Sequence, residues 1–599
     1  MKLVYSILLG ILMSTYAYGS TTITGPLVSG HWTLIGSPYY IYDNITVPTG
    51  STLTIDRGVQ VVFQGLYSLW VAGNLVAIGT QTQPIDFRAQ DTSGWADASL
   101  ATGGWHGINV NAATTGIPDS THFAWCNIQD MKFYPFVTSR PLKLSNCNFS
   151  HNSVPTGIAN NSIINIMGSL SDSSFLFEMD SCNIYNNYSG PAIRTIASSH
   201  GILHLSNCSI HDNDCAVAIS LNSVNVLLTN NSIYNNRQSD TFLHSNSAIR
   251  LTKCHGVISG NKIYNNTSLF VAALYCDGGT LDLTGNIICN NKTTRALGSF
   301  SLIEGGGGLF LNNNGGSNPR PFILRNNIIS NNFTAGNGGG INIYKSSALI
   351  TNNTIMNNTS NMGAGIYDFS DPAVYGHSFV KVKNNIFFNN INTHSSMDST
   401  SCNLWAADTF EYTNNFTQIT YSSDITTTMG FVPVGDTTTN VIGINPGLIA
   451  PTLTNSVTEN ALLANFGLLL TSPCLNHGDT SNAFIYGTDH GGNARVSGGI
   501  IDIGAYEYNL SSLGFVPSSI EPSINISVYP NPAINNLFVL TPQANGIIEL
   551  RDIDAKVVAT KKVVNTITSF DIQSLPRGIY FAVWNMPGGT KLLQKIVLE

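Results

Sequence analysis

Charge is scarce in this sequence: Asp, Glu, Lys and Arg together make up 10% of its 599 residues. Disordered chains combine high charge with low apolar content, and here the apolar fraction is 43%, so we expect a folded protein. The charge that is present is mainly negative. Without Lys2 and the last 75 residues, the chain has 18 basic and 29 acidic residues, a net charge of −11. This balance argues against nucleic acid as a partner.

The sequence also lacks apolar runs long enough to span a bilayer, for which a helix needs about 20 apolar residues. The apolar stretch of residues 3–13 is shorter than that, follows Lys2, and precedes the small-x-small sequence of residues 17–19. This arrangement predicts a signal peptide over residues 1–19 that is removed on export. We therefore expect no transmembrane segment in the mature chain.

What the sequence does contain is a phrase that recurs nine times between residues 142 and 390. An apolar residue is followed three positions later by Asn. The apolar positions are Phe149, Ile184, Ile210, Ile233, Ile263, Ile288, Ile329, Ile355 and Phe387. The Asn positions are Asn152, Asn187, Asn213, Asn236, Asn266, Asn291, Asn332, Asn358 and Asn390. A constant phrase at intervals of 23 to 41 residues indicates one structural unit repeated with loops of different length.

The phrase has the alternation of a β-strand, as in Val226 to Thr229, and then breaks at Asn or Gly. Asn and Gly tolerate left-handed backbone angles, so they are suited to the corners of a coil. A unit too small to have its own core must stack on its neighbours. Strands stacked about 4.8 Å apart would turn the apolar positions into a spine. The Asn positions would become a ladder of amides.

The cysteines fit the same coil. An exported protein with ten cysteines could form disulfides, and Cys208 with Cys215 or Cys276 with Cys289 are conceivable pairs. We favour free buried thiols, because four cysteines recur at one place in the repeat. These are Cys126, Cys147, Cys182 and Cys208. No Cys-x-x-Cys, His-Glu-x-x-His or calcium-loop pattern occurs, so we predict no metal site and no cofactor.

A second strand in each turn, as in residues 247–250 and 272–275, completes the pattern. With it, the chain resembles the right-handed parallel β-helix, or pectin-lyase-like, superfamily over roughly residues 40–425. The predicted fold class is all-β: a right-handed parallel β-helix solenoid over residues 20–425, followed by a small C-terminal β-sandwich.

Residues 426–508 contain segments similar to the closing part of surface β-helix proteins grouped as choice-of-anchor Q. These segments are Ser472–Asp479, Asp489–Arg495 and Ile501–Tyr508. We interpret residues 426–508 as a cap on the last turn, which covers an otherwise open strand edge. Their charged residues are then structural rather than catalytic. A linker rich in Pro and Ser, residues 509–524, follows.

The last module, residues 525–599, alternates like the short strands of a sandwich. Its characteristic motif residues are Tyr529, Pro530, Asn531 and Pro532 at the start, Gly578 and Tyr580 in the middle, and Lys595 in the last strand. Together they resemble a type A C-terminal sorting domain of the type IX secretion system. The resemblance implies the type IX secretion machinery as a partner. It also implies a location outside the outer membrane, with the protein either secreted or attached to the cell surface. An ordinary adhesion sandwich is the alternative.

Alignment of the second strands places one outward residue per turn: Arg194, Ala218, Arg250, Tyr275, Phe310, Asn342 and Tyr367. Tyr275, Phe310 and Tyr367 would form an aromatic platform for sugar rings. Arg250 and Asp277 would be its polar partners. The alternative is ordinary stacking of aromatic residues between neighbouring strands. A second run, Tyr185, Tyr234 and Tyr264, is open to the same two interpretations.

The predicted function is binding of an extracellular polysaccharide or cell-surface glycan, with no catalytic residue assigned. One alternative is a polysaccharide lyase or glycoside hydrolase on the same scaffold. Lyases of this fold use a Lys or Arg base and often calcium, and Asp277, Glu304 and Asp368 could gather on one face. The other alternative is a structural surface protein or adhesin.

Overall fold

The computed structural model describes two units of the chain, residues 1–509 and 510–599, within the limits of its described residues. The described ranges are 19–97, 100, 102–110, 121–133, 136–154, 162–167, 176–195, 201–237, 247–294, 305–312, 321–369, 379–393, 404–406, 410–418, 439–481, 487–496, 499–508, 527–529, 533, 535–541, 545–552, 556–564, 567–586 and 591–598. The expected signal peptide lies outside them, apart from Gly19.

The first unit is a right-handed parallel β-helix, as predicted. One of its faces, here called the narrow sheet, has 16 parallel strands among the described residues. They are Thr21–Ile23, Tyr39–Ile41, Gln60–Phe63, Ile85–Ala89, Cys126–Gln129, Asn148–Ser150, Asn183–Tyr185, Ser209–His211, Ser232–Tyr234, Lys262–Tyr264, Ile287–Cys289, Ile328–Ser330, Thr354–Met356, Ile386–Phe388, Phe416–Thr417 and Val441–Ile442.

The other faces join into a wide sheet of 26 strands in the described part of the chain. They are Gly30–Trp32, Ile45–Val47, Thr52–Ile55, Leu69–Val71, Asn74–Ile78, Ile108–Val110, His122–Ala124, Phe136–Thr138, Leu142–Ser145, Ser153–Val154, Ile164–Ile166, Leu176–Asp180, Tyr188–Thr195, Ile202–Ser206, Asp214–Asn222, Asn225–Thr229, Ile249–Ser259, Leu274–Thr284, Leu309–Asn312, Phe322–Arg325, Ile341–Tyr344, Ala348–Thr351, Ile366–Phe369, Val380–Lys383, Leu404–Ala406 and Phe410–Thr413.

Several short elements complete the first unit. Two parallel pairs lie at a corner of the coil, and one antiparallel pair follows the coil: Thr267–Ser268 with Lys292–Thr293, Thr359–Ser360 with Ile391–Asn392, and Leu448–Ala450 with Asn465–Leu468. The described 3-10 helices are Leu34–Gly36 and Ala461–Leu463.

The corners follow the chemistry expected of Asn. The residue immediately before each Asn of the repeat has a positive φ, and these residues are His151, Asn186, Asp212, Asn235, Asn265, Asn290, Asn331, Asn357 and Asn389. Asn, Asp and His are the non-Gly residues that enter this backbone region most readily. The left-handed residue turns the chain, and the Asn after it points into the coil.

The predicted Asn ladder is confirmed across all nine positions. The Nδ2 of each Asn donates to the Oδ1 of the next at 2.9–3.1 Å. The second hydrogen of Nδ2 goes to a backbone carbonyl of the preceding turn, as from Asn266 to Ile233 at 2.9 Å. The Ile and Phe positions beside the ladder are 0–1% exposed and form the predicted spine.

A second ladder runs at the other corner of the narrow sheet, and the sequence analysis missed it. It contains Asn231, Asn261, Asn286, Asn327, Asn353, Asn385, Asn415 and Asn440, joined by the same amide bonds at 2.9–3.4 Å. This ladder continues the cysteine positions, because the backbone N–H of Cys208 bonds the Oδ1 of Asn231 at 2.9 Å. The nine cysteines among the described residues are buried and free, as predicted, and neither Cys208–Cys215 nor Cys276–Cys289 is paired.

The segment after the coil differs from the expected cap. The coil itself continues beyond residue 425, since Asn440 extends the second ladder and Val441–Ile442 pairs with the strand Phe416–Thr417. The chain then turns back along the flank of the coil. The Nδ2 of Asn331 donates to the carbonyls of Thr454 and Ser456 at 2.8 and 2.9 Å.

This flanking segment, residues 443–508 where described, lies against the coil because it covers an apolar surface of the narrow sheet. The outer face of the narrow sheet becomes apolar in its last turns, at Ile328, Met356 and Ile386, and the segment covers it with Phe466 and Leu468. Leaving these residues and the corner amides in water would forfeit both hydrophobic burial and hydrogen bonds. The segment therefore protects a face of the coil.

The charged residues of the flanking segment bond to one another and to the backbone of the segment. Asp502 accepts the backbone N–H groups of Asn476 and Tyr508 at 2.7 and 2.6 Å. The Nε of buried Arg495 lies 3.4 Å from Oε1 of Glu507. Burial, with Asp502 and Asp489 nearby, raises the pKa of Glu507 to about 8, against the pull of Arg495.

The second unit contains two antiparallel sheets around its own core of Trp584, Phe570 and their neighbours. One sheet has the strands Ser527–Tyr529, Asn536–Leu540 and Ile567–Asp571, and the other has Ile547–Arg551, Val557–Lys562, Gly578–Asn585 and Lys591–Leu598. This is the predicted small sandwich.

Candidate functional site

The outward positions predicted on the second strands are in register. Arg250, Tyr275, Phe310, Asn342 and Tyr367 pair in that order on successive turns. The rings of Tyr275 and Phe310 stack with centroids 5.2 Å apart, and the guanidinium of Arg250 lies 5.5 Å from the centre of the Tyr275 ring. The platform residues therefore form one column.

Two details of that column differ from the sequence prediction. Ala218 points into the core, with 0% exposure, and Ser220 takes the outward place beside Arg250. Phe310 and Tyr367 are only 3% and 1% exposed. A sugar ring needs an open aromatic face, so these two rings do not present the platform we expected.

Arg250, Tyr275 and Asp277 keep some exposure at the edge of the same column. Asn312 ties Asp277 to Tyr275, since its Nδ2 lies 3.1 Å from Oδ1 of Asp277 and 3.4 Å from Oη of Tyr275. Burial raises the pKa of both Asp277 and Tyr275. The assignment of ligand binding to these three residues stays a prediction.

The second aromatic run is a stack of four rings. His211 occupies the position between Tyr185 and Tyr234, and Tyr264 follows. Successive centroids lie 5.4, 4.6 and 4.8 Å apart, with interplanar angles of 2–7°. Parallel stacking covers both faces of the two inner rings and one face of each end ring, so these faces are closed to a ligand. The arrangement favours cross-strand stabilisation over sugar binding.

The carboxylates suggested for catalysis do not gather. Asp277 lies on the outer face of its strand. Asp368 is in register with the core residue Ile343 and has 0% exposure. Glu304 lies outside the described residues. Alternation along a strand places neighbouring positions on opposite faces, which separates Asp277 from Asp368.

The site that the structure does assemble lies at the corner after the first Asn ladder. The residue that follows each ladder Asn pairs with its equivalent in the next turn, which creates what we call the corner column. It consists of Ser153, Tyr188, Asp214, Arg237, Thr267, Lys292, Phe333, Thr359 and Ile391, with Lys132 before Ser153. Parallel strands place these residues about 4.8 Å apart along the coil.

A cleft of about 460 Å³ opens over the corner column. Tyr188, Asp214 and Arg237 form its floor, with Asp212 and Asn235 from the adjoining corners. The rest of its lining is Trp95, Ala96, Asn186 and Asn187. An aromatic wall with a few polar groups in a concave space is the usual make-up of a small-ligand site.

Trp95 reaches the cleft on an excursion of the chain, here called the Trp95 loop, residues 91–104 where described. The loop leaves the coil after the strand Ile85–Ala89 and returns at Trp105, whose ring stacks on Phe63 with centroids 4.0 Å apart. The Trp95 ring lies 5.5 Å from the ring of His151 and is half-buried. Part of the indole is therefore open to a ligand.

The polar groups of the cleft are already held in place. The Oδ2 of Asp212 lies 2.7 Å from Nδ1 of His211, and its Oδ1 accepts from Nδ2 of Asn235 at 3.1 Å. The Nε of Arg237 lies 3.9 Å from Oδ2 of Asp214. The side chains of Asp212 and Arg237 are 46% and 75% exposed, so both remain available to a ligand.

The sequence held a signal for half of this cleft. The position after each ladder Asn could have been aligned as an outward column, which would have found Tyr188, Asp214 and Arg237. The contribution of Trp95 to the cleft could not be predicted by this alignment, because its loop folds onto turns that come later in the chain. Among the described residues, no group of three or more His, Cys, Asp or Glu side chains is placed to hold a metal ion.

The residues that carried the sorting resemblance lie in the second unit. Tyr529 ends a strand and pairs with Phe538, and Lys595 pairs with Phe581. Gly578 starts the strand that contains Tyr580, whose hydroxyl donates to the carbonyl of Pro576 at 2.8 Å. The remaining motif residues, Pro530, Asn531 and Pro532, lie outside the described residues.

Residues 527–599 match the family described as the secretion system C-terminal sorting domain. The predicted sorting domain is thereby confirmed. The chain is a substrate of the type IX secretion machinery, delivered to the cell surface or the extracellular space. No helix in the described part of the chain is long and apolar enough to cross a membrane.

Other similarities are short or distant. A stretch of 52 residues is 48% identical to Protein bark beetle of Drosophila melanogaster, which is 9% of this chain and 2% of that protein. The chain thus spans a very small part of this relative.

Solved structures with a similar course of the chain include pectate lyase Pel9A, with 12% identity over 75% of this chain and 97% of that chain, and a TM-score of 0.34. A mutant of the periplasmic alginate epimerase AlgG has 9% identity over 64% and 78%, with a TM-score of 0.28. Tailspike protein 2 of bacteriophage CBA120 has 12% identity over 97% and 72%, with a TM-score of 0.26. Scores this low carry no functional argument, so function has to be argued from the residues of the cleft.

Proposed function

We propose that this exported β-helix protein binds a neutral extracellular glycan in the cleft between the Trp95 loop and the corner column. The single observation behind the proposal is the cleft itself, where Trp95 faces Tyr188, two Asp side chains and Arg237. Neither of the aromatic columns along the sheets offers the same combination of an accessible ring and convergent polar groups.

The lining suits a sugar. A pyranose ring presents an apolar face to an indole and a rim of hydroxyl groups to hydrogen-bonding side chains. Trp95 supplies the apolar surface, while Asp212, Asp214 and Asn235 supply acceptors, and Arg237 supplies donors. The cleft volume of about 460 Å³ lies within the range of small-ligand sites.

Charge favours a neutral ligand over a uronate. The cleft has two carboxylates and one guanidinium, and the chain without the expected signal peptide and the sorting module has a net charge of −11. Like charges repel at this range, more strongly at low salt. A polymer of uronates would therefore approach an unfavourable field, whereas a hydroxyl-rich neutral glycan would not.

Glycoside hydrolysis is the second candidate, because two carboxylates line one cleft. A hydrolase needs one carboxyl group that holds a proton as the acid and a second as base or nucleophile. Here the oxygens of Asp212 face His211 and Asn235, and Asp214 faces Arg237. These N–H neighbours are arranged to bind carboxylate oxygens and leave no group marked as the acid, so we favour binding.

The test is retention of the purified mature protein on a panel of neutral and uronate-containing polysaccharides, with reducing ends and unsaturated ends measured in parallel. We expect retention on at least one neutral polymer, and loss of at least tenfold in affinity for Trp95→Ala, since a central aromatic anchor contributes about 2 kcal/mol or more. Trp70→Ala is the matched control, because Trp70 is 40% exposed and does not line the cleft.

Retention that survives Trp95→Ala would refute the cleft as the binding site. Retention only on uronate polymers would refute the neutral ligand. New reducing ends, lost in Asp212→Asn or Asp214→Asn, would replace binding by hydrolysis.

A further inference from the structure

The Trp95 loop has a closed base. The backbone N–H of Gly104 donates to the carbonyl of Asp91 at 2.8 Å, which joins the two ends of the loop. Gly103 has φ +72°, and a Cβ at this position would lie 1.7 Å from the carbonyl oxygen of Ser93. Only glycine fits such a contact, so this closure of the loop depends on Gly103.

The side chain of Lys132 contacts both arms of the loop. Its Nζ donates to the carbonyl of Gly94 at 2.8 Å and to the carbonyl of Thr102 at 2.7 Å, which connects the two arms. Gly94 O belongs to the peptide group that leads into Trp95. The ammonium group therefore holds the backbone at the residue that supplies the indole.

Lys132 is well suited to this task because it lies on the corner column, in register with Ser153 and three turns before Asp214. The residue is completely buried, and Gly104 leaves room for it, since a Cβ there would lie 2.7 Å from the Cβ of Lys132. Hydrogen bonds from a charged donor are stronger than those from a neutral donor.

Two carboxylates of the loop accompany the ammonium group. Burial lowers the pKa of Lys132, and Asp97 and Asp91, both in the loop, offset part of this lowering. The group that holds the loop to the coil is thus a buried cation attracted by carboxylates of the loop itself. Lys132 does not line the cleft, so a ligand has no direct contact with it.

We infer that Lys132 is the positioning residue of the cleft: it holds Trp95 over the corner column and affects ligand binding only through Trp95. The inference rests on the proposed function for its binding readout. It goes beyond that function by naming the contact that shapes the cleft. This contact is the hydrogen bond from Lys132 on the coil to the carbonyl of Gly94, 38 residues away in the sequence.

The test is a double-mutant cycle in the mature full-length chain, with the neutral polysaccharide retained by the wild type as ligand. Lys132→Met keeps the length of the side chain and removes the donors. We expect it to lose at least fivefold in affinity, and we expect Lys132→Met with Trp95→Ala to bind no more weakly than Trp95→Ala alone. Full additivity of the two losses would overturn the inference, since it would mean that Lys132 acts on the ligand independently of Trp95.

A second readout needs no ligand. Oxidative footprinting should show greater modification of Trp95 in Lys132→Met than in the wild type, with Trp70 unchanged as the internal reference. Gly103→Ala should give the same increase without any change to Lys132, which covers the case in which the Lys132 variant folds poorly. If Trp95 is modified equally in the wild type and both variants, Lys132 does not position it.

The two proposals fail in different ways. If Trp95→Ala binds as the wild type does, the proposed function fails, while the footprint still decides what Lys132 holds. If Trp95→Ala loses binding but Lys132→Met binds and is modified as the wild type is, the positioning inference fails and the proposed function stands.

Discussion

Removal of one rung of the first Asn ladder should destabilise the coil far more than an ordinary polar substitution. Asn266 is 1% exposed, and its side chain makes four hydrogen bonds. Nδ2 donates to Oδ1 of Asn291 at 3.0 Å and to the carbonyl of Ile233 at 2.9 Å. Oδ1 accepts from N and Nδ2 of Asn236, both at 3.1 Å.

In Asn266→Ala, the backbone N–H of Asn236 loses its acceptor, while Nδ2 of Asn236 keeps a bond to the carbonyl of Ile210 at 2.8 Å. One orphaned buried donor costs about 1–3 kcal/mol, and each further lost bond about 0.5–1.5 kcal/mol. We therefore expect a loss of about 2.5–7.5 kcal/mol for the orphaned donor and the three further bonds. Asn266→Asp keeps the volume but sets an acceptor against Asn291 Oδ1 and Ile233 O, and should cost at least as much.

The assay is equilibrium unfolding in guanidinium chloride, combined with hydrogen exchange of the peptides around residues 232–236 and 262–267. Exchange is needed because repeat proteins can open locally. Asn265→Gly is the matched control: Asn265 is exposed with φ +54°, which glycine adopts freely, so its cost should stay within about 0.5 kcal/mol. An Asn266→Asp variant as stable as the control would refute the ladder as a source of stability.

Three further predictions concern the flanking segment and the cysteines. Between the ordinary glutamate pKa of 4.5 and about 8, the folded protein holds a proton on Glu507 that the unfolded chain releases, so the unfolding free energy should fall as pH rises through this window. Glu507→Gln should flatten that slope in urea titrations, and an unchanged slope would contradict the assignment. Asn331→Ala removes the bonds to Thr454 and Ser456, so limited proteolysis should cut residues 452–459 faster than in the wild type, and equal rates would show that these bonds do not hold the segment. The nine cysteines among the described residues are buried and free, so a thiol reagent followed by peptide mapping should label none of these nine in the native protein and all nine after denaturation without reductant; missing labels among them would reveal disulfides.

The coil could be predicted because its rules are local. Each turn repeats the same order of apolar residue, left-handed corner and inward Asn, so positions such as Ile233 and Asn236 identify their own register. The second ladder obeys the same rules, through Asn231 and its equivalents. It escaped notice because its first places are occupied by cysteines and are two or three residues before the spine.

Exposure could not be predicted in the same way. Alternation correctly placed Phe310 and Tyr367 on the outward side of their strands, but 3% and 1% exposure depends on what packs over them. The register error at Ala218 has a local cause: the strand Asp214–Asn222 is apolar and buried over most of its length, so its alternation shows no polar face.

The cleft combines a local and a non-local part. Tyr188, Asp214 and Arg237 follow from the position after each ladder Asn, and could have been found from the sequence. The approach of Trp95 depends on Lys132 and on the closure at Gly103, which are contacts between distant parts of the chain. No periodicity encodes such contacts.

The most direct test of the central claim is oxidative footprinting of the wild-type protein with and without a saturating neutral glycan that it retains. The account predicts that Trp95 becomes protected by the bound glycan while Trp70 keeps its reactivity. Protection of Tyr275 or of the Tyr185–Tyr264 stack, with Trp95 unchanged, would contradict the account and return the binding site to the faces of the coil.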